Sequence, residues 1–220
     1  QHKLLEGRPD APQDFDYVIC ESTYGDRERD EVSDVARRGQ LREILLNAYH
    51  SNGALLIPSF AVERTQELLA DLNVLMDAGE ISRCPIVIDS PLASRATAIF
   101  KQHAHSIPNG DLLIKALNAK NVRFTETAEQ SKAIDFIRGF HIIIAASGMC
   151  EAGRIRHRLK NWLWRDEGTV LLVGFQAAGT LGRILEEGAR TVKIQGEEII
   201  VRATVRSLDA YSGHADASEL

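Results

Sequence analysis

The sequence has no Cys-x-x-Cys pair and only three cysteines, Cys20, Cys84 and Cys150, each beside an apolar run. That odd, scattered set argues against a disulfide framework and points to buried free thiols in a reducing cytoplasm. Long apolar runs are also missing. Stretches such as "IIIAA" at 142–146 are too short to cross a bilayer, so no membrane segment is expected. The start, "QHKLLEGRPDAP", has neither an initiating Met nor the apolar centre of a signal peptide, so a fragment of a longer chain is expected. An excess of positive charge is lacking too. With 26 Lys and Arg against 31 Asp and Glu, the formal charge is −5. This excludes a bulk electrostatic nucleic-acid binder but not a local basic groove. No fixed-period repeat or low-complexity stretch occurs.

What is present is a chain of 220 residues, 44% apolar and 26% charged, enough for one well-buried domain and at most two. Short β-rich runs alternate with amphipathic segments. "DYVICES" (16–22), "GALLIPS" (53–59), "PIVIDSP" (85–91), "NVRFTE", "HIIIAAS" and "TVLLVGF" read as strands. The segments between them read as helices, beginning with "VSDVARRGQLREILLNAYHS", which places Val32, Val35, Leu41, Leu45 and Ala48 roughly on one face. "VERTQELLADLNVLMDAG", "LASRATAIFKQHAHS", "TAEQSKAIDFIRG", "AGRIRHRLKNWLW" and "GTLGRILEEG" follow. The rhythm changes only in "TVKIQG" and "EEIIVRATV", a hairpin around Gly196. Strands this apolar on both sides predict an α/β, Rossmann-like architecture, a mainly parallel sheet with helices on both faces. In such sheets ligands bind beyond the carboxyl ends of the strands.

Several segments bear two readings. Glu21 in "ESTYGDR" (21–27) ends a predicted strand, where a carboxylate can orient a histidine or simply cap a turn. In "ASGMCEAGRIRHRLKNWL", Ser147 and Gly148 leave a strand and a basic helix follows. Arg154 and Arg158 share one helical face, while Arg156 and Lys160 share another. Free N–H groups, hydroxyls and arginines suit a phosphate, but the same pattern describes a solvated basic face. "GFQAAGTLGR" is neither a P-loop nor G-x-G-x-x-G, which counts against a nucleotide-binding Rossmann-like domain. His103 and His105 are two apart on a helix, so they point apart and read as structural or surface residues. Asp89 or Ser90 reads as a helix N-cap. His214, after Ser212 and Gly213, is a candidate general acid to a leaving oxygen.

Six segments, "ESTYGDR", "PSFAVERTQELL", "IDSPLA", "SGMCEAGR", "VGFQAAGTLGR" and "YSGHAD", occur in an order that resembles the β-CASP branch of the metallo-β-lactamase-fold RNA-processing nucleases. The likeness covers nearly the whole chain. It implies a β-CASP domain at 25–205, flanked by metallo-β-lactamase segments at 1–24 and 206–220. Glu21 falls on the family's motif A acid and His214 on its motif B histidine. In the family these lie beside a two-zinc centre, where a metal-bound hydroxide attacks an RNA phosphodiester. By the same likeness Ser212 would contact a phosphate, and Ser147, Gly148, Arg154 and Arg158 would line the RNA channel. The partners implied are RNA, the metallo-β-lactamase domain of the same parent chain, and a second copy of the parent. The H-x-H-x-D-H zinc signature is absent from this sequence, so no zinc is expected on the chain itself, and no hydrolysis by it alone. Glu28, Arg29 and Asp30 stand where the family often carries a histidine. An RNA-clamping or protein-binding scaffold remains the competing reading.

Overall fold

In this computed structural model the described residues are 13–29 and 32–220; "QHKLLEGRPDAP" and Asp30 lie outside them. The strands are β1 Ala54–Pro58, β2 Ile86–Asp89, β3 Val122–Phe124, β4 His141–Ala145, β5 Thr169–Leu172, β6 Thr191–Ile194, β7 Glu197–Ile200 and β8 Thr204–Ser207. Six form one sheet in the order β3-β2-β4-β1-β5-β8, and every neighbouring pair is parallel.

The register explains why the central strands are apolar on both sides. Leu56 lies opposite Ile143 and Val170, and these residues enter one core layer with Ala54, Val87, Ala145 and Leu172. Their sequence neighbours Leu55, Ile57, Ile86, Ile88, Ile142, Ile144 and Leu171 enter the other. A strand buried on two faces must be apolar at every position, and each large aliphatic side chain so buried contributes roughly 1.5–3 kcal/mol.

The first layer is covered by helices α1 Asp34–His50, α2 Arg64–Asp77, α3 Pro91–His103 and α4 Gly110–Leu117. The second is covered by α6 Ile155–Trp162, α7 Leu181–Glu186 and the β6–β7 hairpin; α5 Ala128–Ala133 precedes a 3-10 turn whose Ile134 joins that layer. Local chemistry sets several helix starts. Ser33, Ser90 and Thr180 accept from backbone N–H groups one turn on, and Pro91 takes the first helical position of α3. Thr127 and Gln130 form a reciprocal capping box. The antiparallel hairpin turns at Gln195 and Gly196, both with positive φ.

The structure departs from the sequence reading in four places. "DYVICES" is not a strand: Tyr17, Val18 and Ile19 are exposed, and no strand pairs with them among the described residues. Val35 is exposed, because the buried side of α1 is Arg37, Leu41, Leu45 and Ala48. Helix α4, unforeseen, starts at Gly110, where a Cβ would lie 1.8 Å from the Ala104 carbonyl oxygen. Finally, "EEIIVRATV" is two strands: Glu197–Ile200 completes the hairpin, while Thr204–Ser207 leaves it to extend the main sheet beside β5.

Candidate functional site

Because the sheet is parallel, all its carboxyl ends share one edge. The helix after β1 lies on one face and the helix after β4 on the other, so these adjacent strands form a topological switch point. In open parallel sheets ligands bind beside such a point. Ser59 and Ser147 leave the two strands at this point, with the Ser59 N–H donating to the Ala145 carbonyl at 2.9 Å. Gly148 packs beneath the Phe60 ring, where a Cβ would approach ring atoms to 2.8 and 2.9 Å. Ser147 is half-buried and its hydroxyl accepts from the Ala152 N–H at 3.3 Å.

Glu21 and His214, close to opposite ends of the described chain, meet on this edge. Glu21 Oε2 is 3.2 Å from His214 Nδ1, and the Thr23 hydroxyl is also 3.2 Å from that nitrogen. The Thr23 N–H donates to Glu21 Oε2 at 2.8 Å and the Ala215 N–H to Oε1 at 2.7 Å. These two backbone donors, with the nearby His214 contributing less, hold the Glu21 carboxyl down at about 2. An ionised carboxylate only accepts, so the proton between the two groups resides on Nδ1, which leaves Nε2 for other chemistry. Both side chains remain partly open to solvent.

The segments carrying this pair are fastened to the body of the domain. Tyr24 is buried, bridges to Asp216, and packs edge-on against Phe175 just beyond β5. Arg29 stacks over Tyr24 at 4.2 Å, donates to Asp216 Oδ1 at 2.6 Å, and holds the His214 carbonyl at 2.7 Å. On the other side, the buried Tyr211 hydroxyl donates to Asp71 Oδ2 at 2.8 Å, and Arg37 Nε donates to the same oxygen at 2.8 Å. Burial and the Asp71 charge push the Tyr211 phenol well above its ordinary value. Ser212, between these anchors, is buried, and its hydroxyl has no hydrogen-bond partner among the described residues. Tyr24, Arg29, Asp71 and Tyr211 are structural members of the site that sequence reasoning did not single out. The positions of Tyr24 and Tyr211 inside the two motifs were the available signal.

Two of the expected phosphate contacts, Arg154 and Arg158, meet a carboxylate at the end of β2 on the same edge. Asp89 is fully buried at the end of β2 and gathers four donors: Thr125 at 2.7 Å and Arg154 at 3.0 Å on Oδ1, Ser131 and Arg158 at 3.0 Å each on Oδ2. Burial alone would raise its pKa, but the Thr125 hydroxyl, the Arg158 charge, Ser131 and Arg154 outweigh that and hold the carboxyl below its usual range. Arg158 is buried, and its remaining donors go to Asp135 and Ser131. Its guanidinium is thus engaged inside the fold. Arg154 is more open but also binds the Thr125 and Glu126 carbonyls. Asp89 is therefore the centre of an ion cluster, and the N-cap of α3 is Ser90.

Among the described residues no three His, Cys, Asp or Glu side chains converge to hold a metal ion. Glu21, with both carboxylate oxygens already bound by N–H groups, and the His214 imidazole fall short of a closed zinc ligand set.

A Beta-Casp domain family model matches residues 65–185, over half of the chain. Ribonuclease TTHA0252 of Thermus thermophilus is 36% identical over 219 residues, covering 96% of this chain and 49% of the relative. An RNase J-like protein of Methanocaldococcus jannaschii is 31% identical, covering 94% and 48% respectively. The transcription termination factor FttA of Pyrococcus horikoshii is 30% identical, covering 99% and 35%. The chain thus spans between a third and a half of the length of these relatives. The parallel sheet and the ordered motifs agree with the match. This chain belongs to the Beta-Casp family.

Proposed function

We propose that this chain is the RNA-gripping β-CASP portion of a zinc-dependent ribonuclease that hydrolyses RNA phosphodiester bonds. The observation that carries the reading is the meeting of Glu21 and His214 at 3.2 Å on the carboxyl edge of the sheet. Two relatives named as a ribonuclease and an RNase J-like protein support it. Within the reading, Glu21 fixes the ring and its tautomer through Nδ1, and the imidazolium gives its Nε2 proton to the leaving oxygen. The Ser212 hydroxyl donates to a phosphate oxygen, a partner that recovers part of the roughly 1–3 kcal/mol cost of burying it unpaired. Ser147 and Gly148 line the path of the RNA at the switch point. The zinc ligands belong to the metallo-β-lactamase part of a longer parent. The free thiols suit a reducing, cytoplasmic setting. No helix among the described residues is long and apolar enough to cross a membrane.

The test uses end-labelled single-stranded RNA with this chain plus zinc, and with its full-length parent. Cleavage by the parent, and weak salt-dependent binding without cleavage by this chain, are expected. Zinc-dependent cleavage by this chain alone would overturn the assignment of the metal to the rest of the parent. One observation favours a second reading, a non-catalytic RNA- or protein-binding scaffold: another relative's name describes transcription termination. RNA binding without cleavage by the parent would select it.

A further inference from the structure

We infer that Phe60 is a stacking platform for an RNA base at the switch point, a role that rests on the RNA reading above. Phe60 lies two residues past the end of β1, and it is 52% exposed although that strand is buried along its whole length. The turn that carries it is held in place. The Ser59 N–H is tied to Ala145, the Phe60 carbonyl accepts from the Thr65 hydroxyl at 2.8 Å, and Ser59 Oγ lies 3.2 Å from both that carbonyl and the Thr65 hydroxyl, with one proton to give to either. Beyond it the Arg64 N–H donates to the Val62 carbonyl at 2.8 Å, and Glu63 takes a φ of 65°, so the chain turns sharply into α2. These contacts fix the backbone from which the ring projects.

Beneath the ring lies Gly148, where any Cβ would collide with it. The aromatic therefore rests on bare backbone while part of its surface meets solvent. Direct contacts carry this position to the Glu21–His214 pair. The Gly148 carbonyl accepts from Gln176 at 3.2 Å, the adjacent Phe175 packs on Tyr24 at 5.5 Å, and Tyr24 packs on His214 at 6.1 Å between ring centres. A single strand following the carboxyl edge past His214 thus meets an exposed aromatic flanked by the Ser59 and Ser147 turns. Stacking on such a ring tolerates any base, because every base has a π-face.

The test measures binding of this chain to a fluorescein-labelled oligouridylate and to an abasic oligomer of equal length. Phe60→Ala and Phe60→Leu are expected to weaken oligouridylate binding roughly 5- to 150-fold, corresponding to about 1–3 kcal/mol per stacked base. Phe60→Trp is expected to restore it. The slope of log affinity against log salt stays unchanged, since no phosphate contact is lost, and the abasic oligomer binds all variants alike. Wild-type-like oligouridylate binding by Phe60→Ala would overturn the inference, assign the ring to a protein contact and leave the RNA reading standing. Equal losses on both oligomers would overturn it as a general loop effect. No RNA binding by the wild-type chain would defeat the underlying reading itself.

Discussion

Replacing Asp89 by Asn changes almost nothing in size but removes the one charge that two arginines share. Asp89 is inaccessible to solvent and accepts from Thr125, Ser131, Arg154 and Arg158. An amide in its place sets an NH2 group against donors and leaves the Arg158 guanidinium, 3% exposed, beside a neutral group. Breaking a buried ion pair in this way costs about 3–5 kcal/mol. Arg158 keeps Asp135 and Ser131, and Arg154 keeps two carbonyls, so the expected loss is near the lower bound, about 3 kcal/mol. With a urea slope of about 2 kcal/mol per molar, the midpoint falls by roughly 1.5 M. Tryptophan fluorescence from Trp162 and Trp164 follows the transition. The pH dependence has a fixed sign. The folded pKa of Asp89 lies below its unfolded value, so its contribution is complete above pH ~4 and is lost as pH falls through the depressed folded value. The gap between Asp89→Asn and wild type is therefore widest near neutrality and closes in acid. A gap below about 0.3 M urea at neutral pH, or one that widens on acidification, would refute the cluster as a source of stability.

Two further outcomes follow from single contacts. Tyr211→Phe deletes the hydroxyl bonded to Asp71; it should cost roughly 1.5–3 kcal/mol and speed amide hydrogen exchange at Ser212–Asp216, and unchanged exchange there would remove Tyr211 as the anchor of that turn. Among the thiols, burial pushes Cys84 and Cys150 up to about 12, whereas Cys20 is exposed. A thiol reagent should modify Cys20 at once in the native chain and the other two only on unfolding; three fast native thiols would contradict that burial.

The sheet was legible because a doubly buried strand has to be apolar without interruption, as "ALLIP", "IVID", "HIIIA" and "TVLL" are. Helix α4 went unread because it follows Pro108, Asn109 and Gly110, residue types that usually interrupt a helix; the left-handed Asn109 turns the chain into it. "DYVICES" has the composition of a strand, yet composition cannot supply a neighbour to pair with. For the site, the two motifs named Glu21, Ser212 and His214 but not what fixes them, because Asp71 lies 140 residues from Tyr211 and Asp216 187 residues from Arg29. Arg154 and Arg158 share a helical face, as their spacing requires, but that face looks onto a buried carboxylate 65 and 69 residues earlier. A buried strand ending in Asp, with two arginines four apart downstream, is the pattern that would have betrayed it.

The central claim is that Glu21 acts through His214. A double-mutant cycle on RNA cleavage by the full-length parent tests it, using Glu21→Gln, His214→Ala and the pair together, with RNA affinity measured alongside. The account predicts that each single change lowers the cleavage rate, and that the double variant is no slower than His214→Ala, since a carboxylate without its imidazole has nothing left to position. Losses that multiply in the double variant would show that the two residues act independently and would contradict the account.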